Sequence, residues 1–155
     1  MLYVDNAATR ILFSPQQFDV IVTPNIFGDV LSNVASLITG SIGMLPSASV
    51  GDDTTPLFEP VHGSFPHATG RGIANPIGAV LSTAMMIDYF ELKKEAKTIR
   101  NAVTRLLRQG IATEELDPAM PCDTGQIGDI LAEYIFEEDY EMRQDVVRQG
   151  GSTII

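Results

Sequence analysis

The stretch Leu57–Pro76, LFEPVHGSFPHATGRGIANP, constrains the fold of this chain more than any other. It holds both histidines, His62 and His67, together with three glycines and three prolines, and it separates a short apolar run from a long one. So many turn formers cannot continue a helix or a central strand, so the chain must leave its core here and return. Long loops with this much fixed backbone usually carry binding or catalysis; the plain alternative is a surface loop whose glycines and prolines only turn corners. Asn75-Pro76 ahead of the apolar run Ile77 to Phe90 predicts an N-cap followed by proline at the first helical position. Free N–H groups at such an end suit an anion or an acceptor on an adenine.

Composition narrows the partners. The 155 residues, 45% hydrophobic with mean hydropathy +0.11, suffice for a globular domain with a real core. Twenty acidic against ten basic residues leave a net charge of −10, which opposes phosphate backbones and anionic membrane surfaces, so neither nucleic acid nor membrane is expected as a partner. The lone Cys122 has no partner for an internal disulfide and no CxxC spacing, which points to a reducing, cytoplasmic setting. No secretory pattern opens the sequence, and no uncharged apolar run reaches membrane-spanning length without a Gly or Pro.

Taken in order, Met1–Val4 reads as no more than the end of a strand, followed by a helical stripe of Ala7, Ala8, Ile11 and Leu12. Ser14-Pro15 starts a short turn, and Phe18–Thr23, FDVIVT, reads as a buried parallel-type strand ended by Pro24-Asn25. Ile26–Thr39 reads as a helix with Ile26, Val30, Val34, Leu37 and Ile38 inward and Gly40 as its stop. Met44–Val50 and Leu57–Val61 are strand candidates on either side of a GDDTTP turn in which Asp52 and Asp53 are read as solvated. Ile77–Phe90 suits a buried helix, with Met85-Met86 as core filling. Lys94–Gln109 is an amphipathic helix with Ile99, Val103, Leu106 and Leu107 inward and Gly110 as its stop, and the three lysines at its start are surface. Thr124 caps a last core helix carrying Ile127, Ile130, Leu131, Tyr134 and Ile135, and an acidic tail follows.

In the helix Ile26–Thr39, Asp29 and Asn33 stand one turn apart on one face, where they either form a solvated polar stripe or share a ligand, with Asp5 as a further oxygen donor. Hard cations such as Mg²⁺ or Mn²⁺ take such oxygens, with waters and substrate completing the shell.

The NIFGDVLSN helix and the EPVHGSFPHATGRGIANP loop, with the YVDNAA start, FDVIVTPNIFGD and the GSIGMLPSAS passage, together resemble the β-decarboxylating dehydrogenases, most closely their isopropylmalate branch. The resemblance covers about Tyr3 to Phe136. It implies an α/β fold of the isocitrate/isopropylmalate dehydrogenase type, present as the C-terminal portion of a two-domain subunit. Residues 1–40 would end the dimer-forming, metal-site domain, residues 41–136 would belong to the cofactor domain, and the acidic tail 137–155 has no clear counterpart. Implied too is oxidation of a 2-hydroxy acid, 3-isopropylmalate in leucine biosynthesis, by hydride transfer to a nicotinamide cofactor, then loss of carbon dioxide with Mg²⁺ or Mn²⁺ as Lewis acid. By motif match, Asp5, Asp29 and Asn33 fall at metal-ligand positions, Asp5 serving the partner subunit of a dimer. His62, Gly63, Ser64 and Phe65 would wrap the adenosine half of NAD, Asn75 would bond the adenine, and Glu59 would lie near the nicotinamide. No GxGxxG is required, because this fold does not use the Rossmann wrap.

Two positions depart from the family pattern. Asn33 stands where an aspartate is usual, removing one formal charge from the metal site. His67 stands where NAD-using members carry an aspartate that holds the ribose hydroxyls, which opens NADP as the alternative cofactor. The arginines, tyrosine and lysine that grip substrate and move protons in the family precede the segment matching Asp5, so a complementing N-terminal half or self-association is expected, with apolar faces exposed on the helices at 26–39 and 77–90. The other readings are a non-catalytic nucleotide-binding or dimerisation fragment, and a related isocitrate, homoisocitrate, tartrate or D-malate dehydrogenase half.

Overall fold

A computed structural model describes the backbone of residues 1–150 and the side chains of residues 1–138. Seven elements follow one another: α1 Val4–Phe13, α2 Asn25–Thr39, β1 Pro46–Ser49, β2 Leu57–Pro60, α3 Ile77–Tyr89, α4 Lys93–Arg108 and α5 Thr124–Gly150. Single 3₁₀ turns fall at residues 15–17, 42–44 and 66–68. Residues 151–155, the end of the expected tail, lie outside the described residues, while α5 carries the start of that tail on as a continuation of the last core helix.

Two hydrophobic clusters divide the chain. The smaller joins Ala7 and Ile11 of α1 to Leu31 of α2, with Val4, Ala8, Phe18, Val34 and Ala35 packed around them. The larger gathers Met44, Ile77, Ala102, Val103, Leu106, Ile127 and Leu131, which brings α3, α4 and α5 onto the turn before β1. The helical spacings of α4 and α5 placed Val103, Leu106, Ile127 and Leu131 correctly, whereas Leu107, also expected inward, sits at the edge of the α4 stripe and is exposed; the αL glycines Gly40 and Gly110 stop α2 and α4 as expected. Between α4 and α5, the Arg105 guanidinium lies 3.8 Å over the Tyr134 ring and pairs with Glu137 at 2.6 Å.

Strands β1 and β2 are antiparallel, with Ser47 opposite Glu59 and Ala48 opposite Phe58. Helix α3 crosses this pair closely because its first turn carries a glycine. A Cβ at Gly78 would stand 2.7 Å from the Gly43 carbonyl oxygen and 3.3 Å from that of Leu45. Only a residue without a side chain lets the helix approach the backbone this far.

Three expectations need correction. Phe18–Thr23 forms no strand: Val20 and Val22 are 80% and 94% exposed, and no neighbouring strand among the described residues offers its N–H and C=O groups a ladder. The inward face expected for α2 is largely its outward face, since Ile26, Val30, Leu37 and Ile38 are exposed while Leu31 and Ser36 are buried and Val34 alone packs inward. Both stripes of that helix are apolar, so periodicity could not say which one α1 would take. Finally, Val4 opens a helix rather than ending a strand. The exposed stripe expected on α3 is present at its far end, where Tyr89 and Phe90 are open; Met86, expected as core filling with Met85, is open there too, because no described element covers that side of the helix.

At the α3–α4 joint Asp88 accepts from Lys93 at 3.0 Å and from Arg100 at 2.9 Å, and Glu91 holds a φ of 65°. The hydrogen bond from Lys93, then that from Arg100, keeps the Asp88 carboxyl below the usual carboxylate range. A lowered folded-state pKa contributes stability that is present above the unfolded pKa of about 3.9 and is lost as pH falls through the folded value. Urea titrations across pH should therefore show wild type more stable than Asp88→Asn near neutrality, with the two curves converging below about pH 4. Gly78→Ala should lower the unfolding free energy by about 2 kcal/mol through overpacking. Gly128→Ala, at an exposed position of α5 with nothing within 4 Å, should raise it by up to about 1 kcal/mol, as read from urea midpoints.

Candidate functional site

The loop from Val61 to Pro76 is anchored at both ends. Val61 N–H donates to the Leu45 carbonyl at 3.0 Å, which extends the β1–β2 pairing by one bond. At the far end Thr124 N–H donates to the Gly72 carbonyl at 2.7 Å and Thr124 Oγ1 to the Ala74 carbonyl at 2.5 Å. Thr124 is thus spent on the loop, and the expected cap of α5 is instead a reciprocal box: Asp123 Oδ1 accepts from Gln126 N–H at 2.8 Å, and Gln126 Oε1 from Asp123 N–H at 2.9 Å.

Between these anchors the loop presents its side chains to solvent. Gly63, Ser64, Phe65, Pro66 and His67 are exposed, and Phe65 meets His67 edge-on at 6.4 Å between centroids. His62 Nδ1 lies 3.0 Å from the Gly63 carbonyl, a contact that requires the proton on Nδ1. Ala68 alone is buried, and the 3₁₀ turn around it is followed by Gly70 and Gly72 at φ of 75° and 66°. Glu59 is exposed on β2, just before the loop begins. Of the expected cofactor residues, Glu59, Gly63, Ser64, Phe65 and His67 are thus exposed and His62 is half-buried.

Asn75 is the exception, being only 8% exposed. Its Oδ1 accepts from Ile77 N–H at 2.9 Å, so it does cap α3. Its Nδ2 donates to Glu115 Oε1 at 2.9 Å and lies 3.4 Å from Met44 Sδ. With the side chain engaged, what Asn75 has left to offer is its own backbone N–H and C=O, which have no partner among the described residues. Glu115 and Ser41, whose hydroxyl donates to Glu115 Oε1 at 2.6 Å, were not foreseen. Their separation of 74 residues leaves no local pattern to read.

The oxygen donors occupy the other cluster. Asp29 and Asn33 are exposed one turn apart on α2, and Asn33 Nδ2 donates to the Asp29 carbonyl at 2.7 Å, which turns its Oδ1 outward. Asp29 Oδ2 accepts weakly from Asn25 at 3.4 Å. Asp5 is exposed on α1; its carboxylate accepts from the neighbouring Asn6 N–H at 2.8 Å, its carbonyl from Thr9 Oγ1 at 3.0 Å, and it shares no hydrogen bond with Asp29 or Asn33. No group of three His, Cys, Asp or Glu side chains arranged for a metal occurs among the described residues. Asp29 and Asn33 fit a hard cation as two donors of a shell that other molecules would complete. Beside them the exposed Ile26, Val30 and Leu37 lie on the same helix.

The sequence profile of the isocitrate/isopropylmalate dehydrogenases matches residues 1–131. The chain belongs to this family. Relatives of this dehydrogenase family include the 3-isopropylmalate dehydrogenase of Shouchella clausii (strain KSM-K16), 55% identical over 76% of the chain and 33% of the relative. That of Bacillus subtilis (strain 168) is 52% identical over 74% and 32%. Among solved structures, isocitrate dehydrogenase from Methylococcus capsulatus superposes with a TM-score of 0.81 at 37% identity, covering 85% of this chain and 39% of that one. A β-decarboxylating dehydrogenase from Thermococcus kodakarensis gives 0.75 at 35%, covering 98% and 42%. The fold is therefore that of the isocitrate/isopropylmalate dehydrogenases, of which this chain carries a part: it spans about a third of the length of the curated relatives it matches. No helix among the described residues is long and apolar enough to cross a membrane.

Because the Asn75 amide both caps α3 and is held from the α4–α5 loop, Asn75→Ala should cost about 2 kcal/mol in unfolding free energy, measured by urea denaturation.

Proposed function

We propose that this chain is the metal-donor and nucleotide-loop part of a dehydrogenase that oxidises and decarboxylates 3-isopropylmalate, the step that serves leucine biosynthesis, in the cytoplasm. What carries the reading is the family match over residues 1–131, which takes in both α2 and the 57–76 loop, together with relatives named 3-isopropylmalate dehydrogenase. When bound, a nicotinamide cofactor supplies the hydride acceptor and a divalent cation, Mg²⁺ or Mn²⁺, supplies Lewis acidity toward a 2-hydroxy acid.

The chain's own residues do the holding. Asp29 and Asn33 offer a carboxylate and an outward amide oxygen beside an exposed apolar stripe, which suits a site completed across an interface, with Asp5 serving a second subunit. Residues 1–40 form the metal-donor and dimer side, and residues 41–136 the cofactor side, in keeping with their separate hydrophobic clusters. The His62-Gly63-Ser64-Phe65 edge, half-buried at His62 and exposed from Gly63 on, lies along the adenosine half of NAD, with Phe65 as a face for stacking. Asn75 meets the adenine through its unpartnered backbone N–H and C=O, a donor and an acceptor that match adenine's acceptor and donor edge. Glu59 borders the nicotinamide end. The groups that grip substrate carboxylates and move protons belong to the remaining length of the family.

The decisive assay is nicotinamide reduction with 3-isopropylmalate and Mn²⁺, by this chain alone and mixed with a family N-terminal half. Turnover in the mixture alone is expected; silence despite shown association of the halves would favour a non-catalytic nucleotide-binding module. His67 replaces a ribose-holding acceptor pair with an imidazole, so His67→Asp should tighten NAD binding by about tenfold. An unchanged or weaker dissociation constant would overturn that role.

A further inference from the structure

We propose that Glu115 is a positioning residue for the nucleotide loop: its carboxylate sets the orientation of the Asn75 peptide that faces the adenine. The inference rests on the nucleotide reading above and adds a residue on which nothing in that reading depended.

Glu115 sits in the connection between α4 and α5, and that connection is rooted. Ala112 and Thr113 are 7% and 1% exposed, Cys122 N–H donates to the Ala112 carbonyl at 2.8 Å, and Leu116 and Asp117 N–H both donate to the Thr113 carbonyl at 3.0 Å. The turn so fixed holds out one carboxylate oxygen, and two donors converge on it: Ser41 Oγ at 2.6 Å and Asn75 Nδ2 at 2.9 Å. Ser41 Oγ in turn accepts from Gly43 N–H at 2.8 Å. Space for the convergence comes from Gly43, where a Cβ would stand 2.7 Å from that same Glu115 oxygen and 3.0 Å from the Asn75 Cβ.

The consequence falls on Asn75. Its amide plane is gripped at both ends, by Glu115 through Nδ2 and by Ile77 N–H through Oδ1, so its rotation is set by a residue 40 positions away. A mere staple between the turn at 41–45 and the start of α3 is already provided by the close seat of Gly78 on the Gly43 and Leu45 carbonyls. What Glu115 adds is orientation of a nearly buried residue whose backbone N–H and C=O have no partner among the described residues. Groups left so are what a ligand with a complementary edge would complete.

The test uses the whole chain with adenosine 5′-monophosphate and nicotinamide mononucleotide as separate probes, in wild type, Glu115→Ala, Glu115→Gln and Ser41→Ala. Val103→Ala, a truncation in the larger core cluster that removes no hydrogen bond to Asn75, serves as the stability control. Hydrogen exchange at Ile77 N–H reads the latch itself. Expected are faster exchange at Ile77 and about tenfold weaker adenosine monophosphate binding in Glu115→Ala, with unchanged nicotinamide mononucleotide binding. Glu115→Gln, which keeps an acceptor oxygen, should recover most of the affinity, and Ser41→Ala should lie between. Equal loss of adenosine monophosphate affinity in Val103→Ala would reduce Glu115 to a contributor to general stability and overturn the proposal. So would unchanged Ile77 exchange in both Glu115→Ala and Ser41→Ala. Failure of wild type to bind adenosine monophosphate, with the Ile77 response intact, would instead overturn the nucleotide reading and the positioning role with it, while the latch stood as measured.

Discussion

The close seat of α3 on the backbone of residues 43–45 is the contact from which the rest of the larger cluster follows. With Gly78 against two carbonyl oxygens, the helix lies near enough for Ile77 and Met44 to enter one core with residues of α4 and α5. The same seat fixes where α3 begins, and hence where Asn75 must stand to cap it. One missing side chain thus ties the packing of the domain to the geometry of its loop. Interiors packed to crystal density leave no slack to absorb a methyl group there.

Much of this was readable from residue order because it is local. Helix α4 has charged and apolar faces clearly apart, and α5 carries its apolar residues at helical spacing, so their inward sides were fixed before any partner was known. Asn75-Pro76 and Gly110 are local devices whose effect reaches only the next turn. Helix α2 shows the limit. It is apolar on two stripes, and the choice between them belongs to whichever neighbour arrives first, here α1. FDVIVT shows a second limit: strand propensity is a readiness to pair, and a segment without a neighbour stays unpaired.

The candidate site divides along the same line. The loop announced itself by its glycines, prolines and histidines, and the Asp29–Asn33 pair by its spacing on one helix. Glu115 was silent, since it lies in an acidic turn that resembles any solvated stretch, and its partners Ser41 and Asn75 come from two other turns. Thr124 misled for a related reason, because a threonine next to a helix start fits a cap by type, and only the tertiary structure shows that Asp123 takes that post while Thr124 turns to the loop.

The bare segment from Phe18 to Thr23 has a consequence for the kinetics of assembly. No described residue pairs with it, so any ladder along it would have to wait until a distant segment or a second chain arrives. During that wait Val20 and Val22 offer an uncharged apolar edge. The net charge of −10 keeps chains apart on approach without covering that edge. Recovery from the unfolded state should therefore depend on concentration and on order of mixing, since the same edge that accepts the right partner accepts another copy of itself.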